Sequence, residues 1–204
     1  MCGIDNYNHH HVPQIDSLTT LAEHYLNLYL SRFGSEQRPL HILGWSLGGQ
    51  IALKMASQLE NMGWKNLRLI LLDAVVPDLR LRTIQETLSL DEFKLHIKNQ
   101  ILRNYEAAYV NTILSAVEAE HALHYAPLDE YETLKNTEVL LFKAARENPA
   151  VKGNPRLEAM NRHTLAELPR NNLETIATNL KVIELPCSHS DILSCKEEMM
   201  GYVL

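Results

Sequence analysis

Three residues in this sequence have the types and the positions that nucleophilic catalysis by a serine hydroxyl requires. A serine is a weak nucleophile at neutral pH unless a neighbouring base accepts its proton, and that base needs a carboxylate to orient it and stabilise its charge. Ser46, Asp73 and His189 could supply the hydroxyl, the carboxylate and the base. Each lies just past a predicted β-strand, and parallel strands end at one edge of a sheet. We therefore expect the three side chains to meet at that edge.

The serine occupies the centre of a Gly-Trp-Ser-Leu-Gly motif at residues 44–48. The apolar residues 40–43 before it predict a short buried strand, and residues 49–59 after it predict a helix. A strand, a Gly-x-Ser-x-Gly turn and a helix make the nucleophile elbow of α/β-hydrolases. We expect side chains at both glycines of the motif to collide with the neighbouring strand and helix. The turn would also make the backbone N–H of Leu47 a donor to a developing oxyanion.

Other acidic residues could take the place of Asp73. Asp78 lies five residues further on and could reach the site from a loop. Asp191 is too close to His189 in the chain to present its carboxylate easily to the far ring nitrogen. Asp73 itself could simply cap a turn at the end of its strand. We favour Asp73 as the acid because it directly follows a strand.

Of the ten histidines, His189 alone has the strand-end placement of a catalytic base. His41 lies inside a predicted strand and is expected to pack there, and the triplet at residues 9–11 is predicted to lie in a loop. His121 and His124 could form a metal-binding pair on a helix, but no cysteine or further acidic cluster supports it, so we expect surface positions and no metal site. Solvated helix or loop positions are expected for His24, His96 and His163.

The rest of the chain predicts alternating helices and strands. Asp16 can cap a helix over residues 17–33. Residues 67–73 are nearly continuously apolar, as expected for an interior parallel strand, and further strands are predicted at residues 138–143 and 180–185. This alternation predicts an α/β fold with a mostly parallel sheet and helices on both faces.

A long segment without proline or glycine separates Pro77 from Pro127. Its apolar periodicity predicts two or more helices inserted between strands, and residues 89–92 match a capping box at the start of one of them. We expect a helical insertion at about residues 78–131, within a single domain that spans residues 1–204.

Size and charge limit the possible partners. The 204 residues are enough for one α/β domain, and 46% hydrophobic and 22% charged residues are ordinary values for a soluble protein. A net charge of −6 argues against binding to nucleic acid or anionic lipid.

The sequence has no apolar run of membrane-spanning length and no secretory signal at its start. Three cysteines, Cys2, Cys187 and Cys195, form no obvious disulfide framework, so we expect a cytoplasmic setting.

Several segments of the sequence match one known family, namely GIDNYN at residues 3–8, TLAEHYL at 20–26, GWSLGGQIALKMASQLE at 44–60, LRLILLDAVVP at 67–77 and VLLFKA at 139–144. Through these segments the chain resembles the thioesterase domains that terminate nonribosomal peptide synthetases. The resemblance implies an α/β-hydrolase fold in which the helical insertion is a mobile lid. It also implies that Ser46 accepts an acyl or peptidyl chain from the phosphopantetheine arm of a carrier protein, without a cofactor of its own. An acid at Asp73 matches chain-terminating domains, whereas stand-alone editing thioesterases usually carry it after the later strand.

Domains of this kind begin with strands, a glycine-containing loop and a helix upstream of the segment that residues 3–8 match. The resemblance implies that this loop supplies a second oxyanion donor. We therefore expect the first strands to be missing from this chain, and loss of one donor typically costs about 10²–10³ in turnover. We also expect self-association through an uncovered sheet edge.

Two other functions fit the same residues. A general serine esterase or lipase would use the same fold and would prefer short oxygen esters to thioesters. A catalytically impaired fragment would instead serve as a docking module for a carrier protein. Labelling by a fluorophosphonate, and its dependence on Ser46, would distinguish an enzyme from a docking module.

Overall fold

A computed structural model describes residues 2–101, 107–125 and 131–203, apart from the side chains of residues 99–101, 107–109, 124 and 125. The strands are β1 (Leu40–Trp45), β2 (Leu67–Leu72), β3 (Leu134–Ala144) and β4 (Ala177–Leu185). The helices are α1 (Tyr7–His10), α2 (Leu18–Phe33), α3 (Leu47–Asn61), α4 (Leu79–Glu86), α5 (Leu90–Ile101), α6 (Ala107–Tyr125), α7 (Pro155–Glu167) and α8 (Lys196–Val203). Short 3₁₀ helices span Pro149–Val151, Leu173–Thr175 and His189–Cys195.

The four described strands form one parallel sheet in the order β1-β2-β3-β4. The register pairs Trp45 of β1 with Leu72 of β2, and Leu72 with Phe142 of β3. The carboxyl ends of these three strands therefore lie at the same edge of the sheet. The residues that follow β1 and β2 therefore emerge side by side at one edge. The parallel sheet predicted from the sequence is confirmed.

The central strands are buried on both faces. Along β2, Leu69 and Leu71 pack against one apolar cluster while Ile70 and Leu72 pack against another, because successive side chains of a strand point to opposite faces. The first cluster includes residues of α3, and the second includes Met199 of α8. The prediction of helices on both faces is confirmed, and this two-sided burial explains the continuous apolar run.

Strand β1 differs from the expectation of a buried strand. Within the described sheet it pairs with β2 alone, and its residues alternate in exposure. Leu43 is 59% exposed, and His41, which was expected to be packed, is exposed as well. The opposite side chains, such as Ile42, contact the helical layer of α2 and α3. An apolar sequence was therefore insufficient to distinguish an edge strand from an interior one.

The segment between β2 and β3 contains α4, α5 and α6, so the predicted insertion of two or more helices is confirmed. The capping box is also confirmed. The backbone N–H of Ser89 donates to Glu92 Oε2 over 3.0 Å, and the N–H of Glu92 donates to Ser89 Oγ over 3.2 Å. Glu92 also accepts from Arg156 Nη1 at 2.8 Å, which ties the insertion to α7. Residues 102–106 and 126–130 of the expected insertion lie outside the described residues.

Two local predictions near the N-terminus were wrong. Helix α2 is capped by Ser17, whose Oγ accepts from the N–H of Thr20, rather than by Asp16. His9 and His10 belong to the short helix α1 rather than to a loop.

Within the described residues, the structure contains no helix with the length and apolar character needed to cross a membrane.

The glycines of the elbow are not equally constrained. A Cβ at Gly44 would lie 2.3 Å from the carbonyl oxygen of Gly48, so the collision expected there is confirmed. A Cβ at Gly48 would have no atom within 4 Å, so the collision expected there was wrong. The second crowded position is Gly49, where a Cβ would lie 2.3 Å from the Cβ of Ala74. The first turn of α3 thus presents Gly49, rather than Gly48, to the end of β2.

Gly44→Ala should lower the free energy of unfolding by about 1–3 kcal/mol or more, because the new methyl group meets backbone atoms that cannot rotate away. Gly48→Ala is the matched control and should leave stability unchanged or raise it by up to about 1 kcal/mol, since alanine favours a helix. Urea denaturation of the two variants and the wild type measures the difference. Equal stabilities for the two variants would show that the elbow is not crowded at Gly44.

Candidate active site

Ser46 lies in a strained turn between β1 and α3. Its φ of 53° and ψ of −120° are unusual for a residue with a side chain, and such strain is found at functional turns. A serine before a helix usually caps it, but the Oγ of Ser46 makes no capping hydrogen bond. The backbone N–H of Leu47 is the first of α3 and therefore has no acceptor within the helix. The turn thus leaves a hydroxyl and an N–H free for other partners at the edge of the sheet.

Three side chains from distant parts of the sequence form a hydrogen-bonded series at this edge. His189 Nε2 lies 3.1 Å from Ser46 Oγ, and His189 Nδ1 lies 2.8 Å from Asp73 Oδ2. Because a carboxylate can only accept, Nδ1 carries the proton and Nε2 presents its lone pair to the serine hydroxyl. The structure therefore brings together the three residues selected from the sequence, with a basic nitrogen facing the hydroxyl.

The carboxylate of Asp73 is held by further donors. Its other oxygen, Oδ1, accepts from the N–H of Ala144 at 3.1 Å and from Asn171 Nδ2 at 3.1 Å. Burial by itself would raise the pKa of Asp73, but the hydrogen bond and charge of His189, together with these two donors, outweigh burial and lower the pKa below its ordinary value. Asp73 is therefore ionised at neutral pH and aims Oδ2 at the imidazole.

The loop that follows β4 positions His189 at the start of a 3₁₀ helix. The imidazole lies against the Trp45 ring, with centroids 5.7 Å apart. Asp191 accepts from Ser188 Oγ at 2.6 Å, so its carboxylate is occupied within the loop. Burial, with smaller contributions from Cys195 and Asp73, raises the pKa of the Cys187 thiol to about 12. Cys187 thus stays protonated and is not a competing nucleophile.

The rival acid and several histidines have other positions. Asp78 caps α4 through Leu81 N–H, and its Oδ2 lies 2.6 Å from His163 Nε2. His163 is only 7% exposed, so the expectation that it is solvated was wrong.

The structure also gives the surroundings of other histidines considered in the sequence. His121 Nε2 lies 3.2 Å from the carbonyl oxygen of Leu88, and the side chain of His124 lies outside the described residues. His24 and His96, expected to be solvated, are partly buried.

A cavity of about 220 Å³ adjoins Ser46 and His189. Its apolar wall comes from the insertion and from α7, which share an apolar cluster that includes Phe93 and Leu157. Polar side chains line the cavity on all sides as well, among them Gln50 of α3, His96 of the insertion and Asn161 of α7. A cavity that combines an apolar wall with polar groups beside a reactive hydroxyl is suited to a ligand with both an apolar chain and polar groups.

The sequence reasoning missed Asn171 and Lys143. Asn171 comes from the loop between α7 and β4 and contacts Asp73, which lies 98 residues earlier. Lys143 is buried at the end of β3 and donates to Asn171 Oδ1 at 2.7 Å. A single asparagine in a loop carries no motif, and the only available signal was a lysine inside an apolar strand.

Comparison with known proteins agrees with this fold. The family model of the thioesterase domain matches residues 1–200. A stretch of 36 residues is 53% identical to the dimodular nonribosomal peptide synthase of Bacillus subtilis (strain 168), a match that covers 18% of this chain and 2% of that protein. The chain thus corresponds to a small part of that relative.

Two solved structures show the same fold at low sequence identity. The RedJ thioesterase from the prodiginine biosynthetic pathway of Streptomyces coelicolor is 18% identical, with a TM-score of 0.61 over 88% of this chain and 63% of that one. YbtT, a type II thioesterase from the yersiniabactin NRPS/PKS pathway, is 16% identical, with a TM-score of 0.62 over 93% of this chain and 74% of that one. Because the family model extends over nearly the whole sequence, the chain belongs to the thioesterase domain family.

Proposed function

We propose that this protein is a serine-dependent thioesterase that releases an acyl or peptidyl chain from the phosphopantetheine thioester of a carrier protein. The observation that carries the proposal is the hydrogen-bonded series from Asp73 through His189 to Ser46, in a chain of the thioesterase family. Asp73 is the carboxylate that orients the base, His189 is the base, and Ser46 is the nucleophile.

In the first half of the reaction, His189 Nε2 takes the proton of Ser46 as Oγ attacks the thioester carbonyl. The N–H of Leu47 donates to the oxyanion that forms on the carbonyl oxygen. The carbon–sulfur bond then breaks, the thiol leaves with the proton from His189, and the acyl group remains as an ester on Ser46. Asp73 stabilises the imidazolium while the proton is held there.

In the second half, His189 removes a proton from water, or from an amine or hydroxyl of the bound chain, and this nucleophile attacks the ester. Hydrolysis and cyclisation thus use the same three residues. The mixed apolar and polar lining of the cavity supports an acyl or peptidyl substrate, and the helical insertion acts as a lid that limits the entry of water.

The release of a finished chain, rather than the removal of a wrong one, is supported by the placement of the acid. Asp73 follows β2 and bonds to His189, while the end of β3 presents Lys143, whose ammonium is bound inside the protein. The phosphopantetheine belongs to the carrier protein, so the chain needs no cofactor of its own. The match to a nonribosomal peptide synthase supports a carrier domain as the partner. We propose that the two act together in the cytoplasm.

The proposal is tested by comparing octanoyl-pantetheine with the p-nitrophenyl ester of the same acid. We expect kcat/KM to favour the thioester by about tenfold or more, which corresponds to about 1.4 kcal/mol of transition-state discrimination. A higher kcat/KM for the oxygen ester would instead favour a general esterase. No turnover and no fluorophosphonate labelling of the wild type would favour the docking module.

A further inference from the structure

The side chain of Asn171 is a fully buried amide next to Asp73. Asn171 has a φ of 52°, a left-handed conformation that asparagine tolerates better than most residues. Its backbone carbonyl accepts from the N–H of Val76, and its own N–H donates to the carbonyl of Leu168. The bond from Val76 thus holds the residue against the segment that follows β2, and the bond to Leu168 fixes it within its own loop.

The orientation of the amide is fixed by its partners. Asn171 Oδ1 accepts from Lys143 Nζ at 2.7 Å, and Nδ2 donates to Asp73 Oδ1 at 3.1 Å and to the carbonyl oxygen of Ala74 at 3.0 Å. A lysine ammonium can only donate, and a carboxylate and a carbonyl can only accept. Turning the amide over would break all three hydrogen bonds, so the nitrogen must face Asp73.

Lys143 holds the amide from behind. Lys143 as a whole is only 3% exposed. Its ammonium also donates to the carbonyl oxygens of Thr164 at 3.0 Å and Leu168 at 2.6 Å. All three protons of the ammonium are therefore used. The groups form a continuous series of cation, amide, carboxylate and imidazole that ends at the hydroxyl of Ser46.

We propose that Asn171, locked by Lys143, is a positioning residue that fixes the carboxylate of Asp73 so that Oδ2 faces His189; this inference rests on the proposed function. Without the amide, Oδ1 keeps the N–H of Ala144 as its donor, and the carboxylate gains freedom to rotate away from the imidazole. His189 would then spend less time in the tautomer that accepts the serine proton. Binding of the thioester, which involves the cavity, would change little.

The neighbouring residue supplies a matched control. Asn172 has a φ of 60°, and its amide donates to the carbonyl oxygen of Val76 at 3.0 Å, without a bond to Asp73. Glycine tolerates both left-handed positions. Asn171→Gly and Asn172→Gly therefore remove similar groups from one loop, and only the first removes a donor from the carboxylate.

The experiment measures kcat and KM for octanoyl-pantetheine, and the low-field proton NMR signal of His189 Nδ1–H, in the wild type and both variants. We expect Asn171→Gly to lower kcat by about 10–10²-fold with KM changed less than about twofold, as misplacement of a catalytic group does. The low-field signal should weaken or move upfield. Asn172→Gly should keep kcat within about threefold of the wild type and keep the signal.

Equal kcat values and equal NMR signals in the two variants would overturn the inference and leave the proposed function standing. A wild type without turnover or fluorophosphonate labelling would overturn the proposed function itself. If Asn171→Gly does not fold, the dependence of kcat on pH in Asn171→Asp decides. At neutral pH the new carboxyl can keep a proton and still donate to Asp73, but at alkaline pH it keeps the bond to Lys143 and presents only an acceptor. Wild-type kcat at alkaline pH in a folded Asn171→Asp variant would contradict the inference.

Discussion

Ser46→Ala should abolish fluorophosphonate labelling and lower kcat for octanoyl-pantetheine by about 10⁴–10⁶-fold, the range seen when a catalytic serine is removed. The reason is geometric. The imidazole of His189 lies within hydrogen-bond distance of this hydroxyl, and the Oγ of Ser46 is not used to cap α3. Alanine removes the nucleophile and leaves the base and the carboxylate in place, so the protein should remain folded.

Ser57→Ala is the control for this variant. Ser57 lies on the same helix, α3, and its hydroxyl donates to Glu132 Oε2 at 3.2 Å, away from the site. We expect labelling and kcat in this variant within about threefold of the wild type, less than about 1 kcal/mol. Labelling that survives in Ser46→Ala would show that another residue is the nucleophile.

Asp73→Asn should lower kcat by about 10⁴-fold with little effect on folding. The donors around the residue determine how the new amide turns. Ala144 N–H and Asn171 Nδ2 both point at Oδ1, so the amide oxygen must stay there and the amide nitrogen must face His189. That nitrogen can only donate, so His189 Nδ1 becomes an acceptor and its proton moves to Nε2. Nε2–H then points at Ser46 and cannot accept the serine proton.

Asp78→Asn is the matched control because Asp78 was the rival acid in the sequence. Asparagine can also cap a helix, so α4 should be kept. We expect kcat within about threefold of the wild type in stopped or steady-state thioester assays. A large loss in Asp78→Asn together with an active Asp73→Asn would assign the acid to Asp78 and contradict the geometry.

The placement of the site at one sheet edge could be predicted because it depends on local signals. The apolar runs before Ser46, Asp73 and His189 predict strands, and parallel strands share an edge whatever else the fold contains. The structure agrees with these strand ends, and it joins the three side chains by hydrogen bonds. Their catalytic roles stay a proposal.

The features that escaped prediction depend on contacts between distant residues. Burial of β1 is decided by how many strands and helices cover it, which its apolar sequence does not encode. The pairing of His163 with Asp78 requires α7 to lie beside α4. The contact of Asn171 with Asp73 requires the loop after α7 to lie beside a residue that is 98 positions earlier in the chain. Crowding at Gly49 instead of Gly48 depends on the rotation of α3 about its own axis, which determines the residue that faces the end of β2.

The central claim is that the hydroxyl of Ser46 takes the acyl group from a thioester. Rapid quenching of the protein with octanoyl-pantetheine, followed by intact-mass measurement and peptide mapping, tests this most directly. The proposed mechanism predicts the added mass of one octanoyl group on the peptide that contains Ser46, and none in Ser46→Ala. Turnover with the acyl group on another residue, or with no acylated protein formed at any quench time, would contradict it.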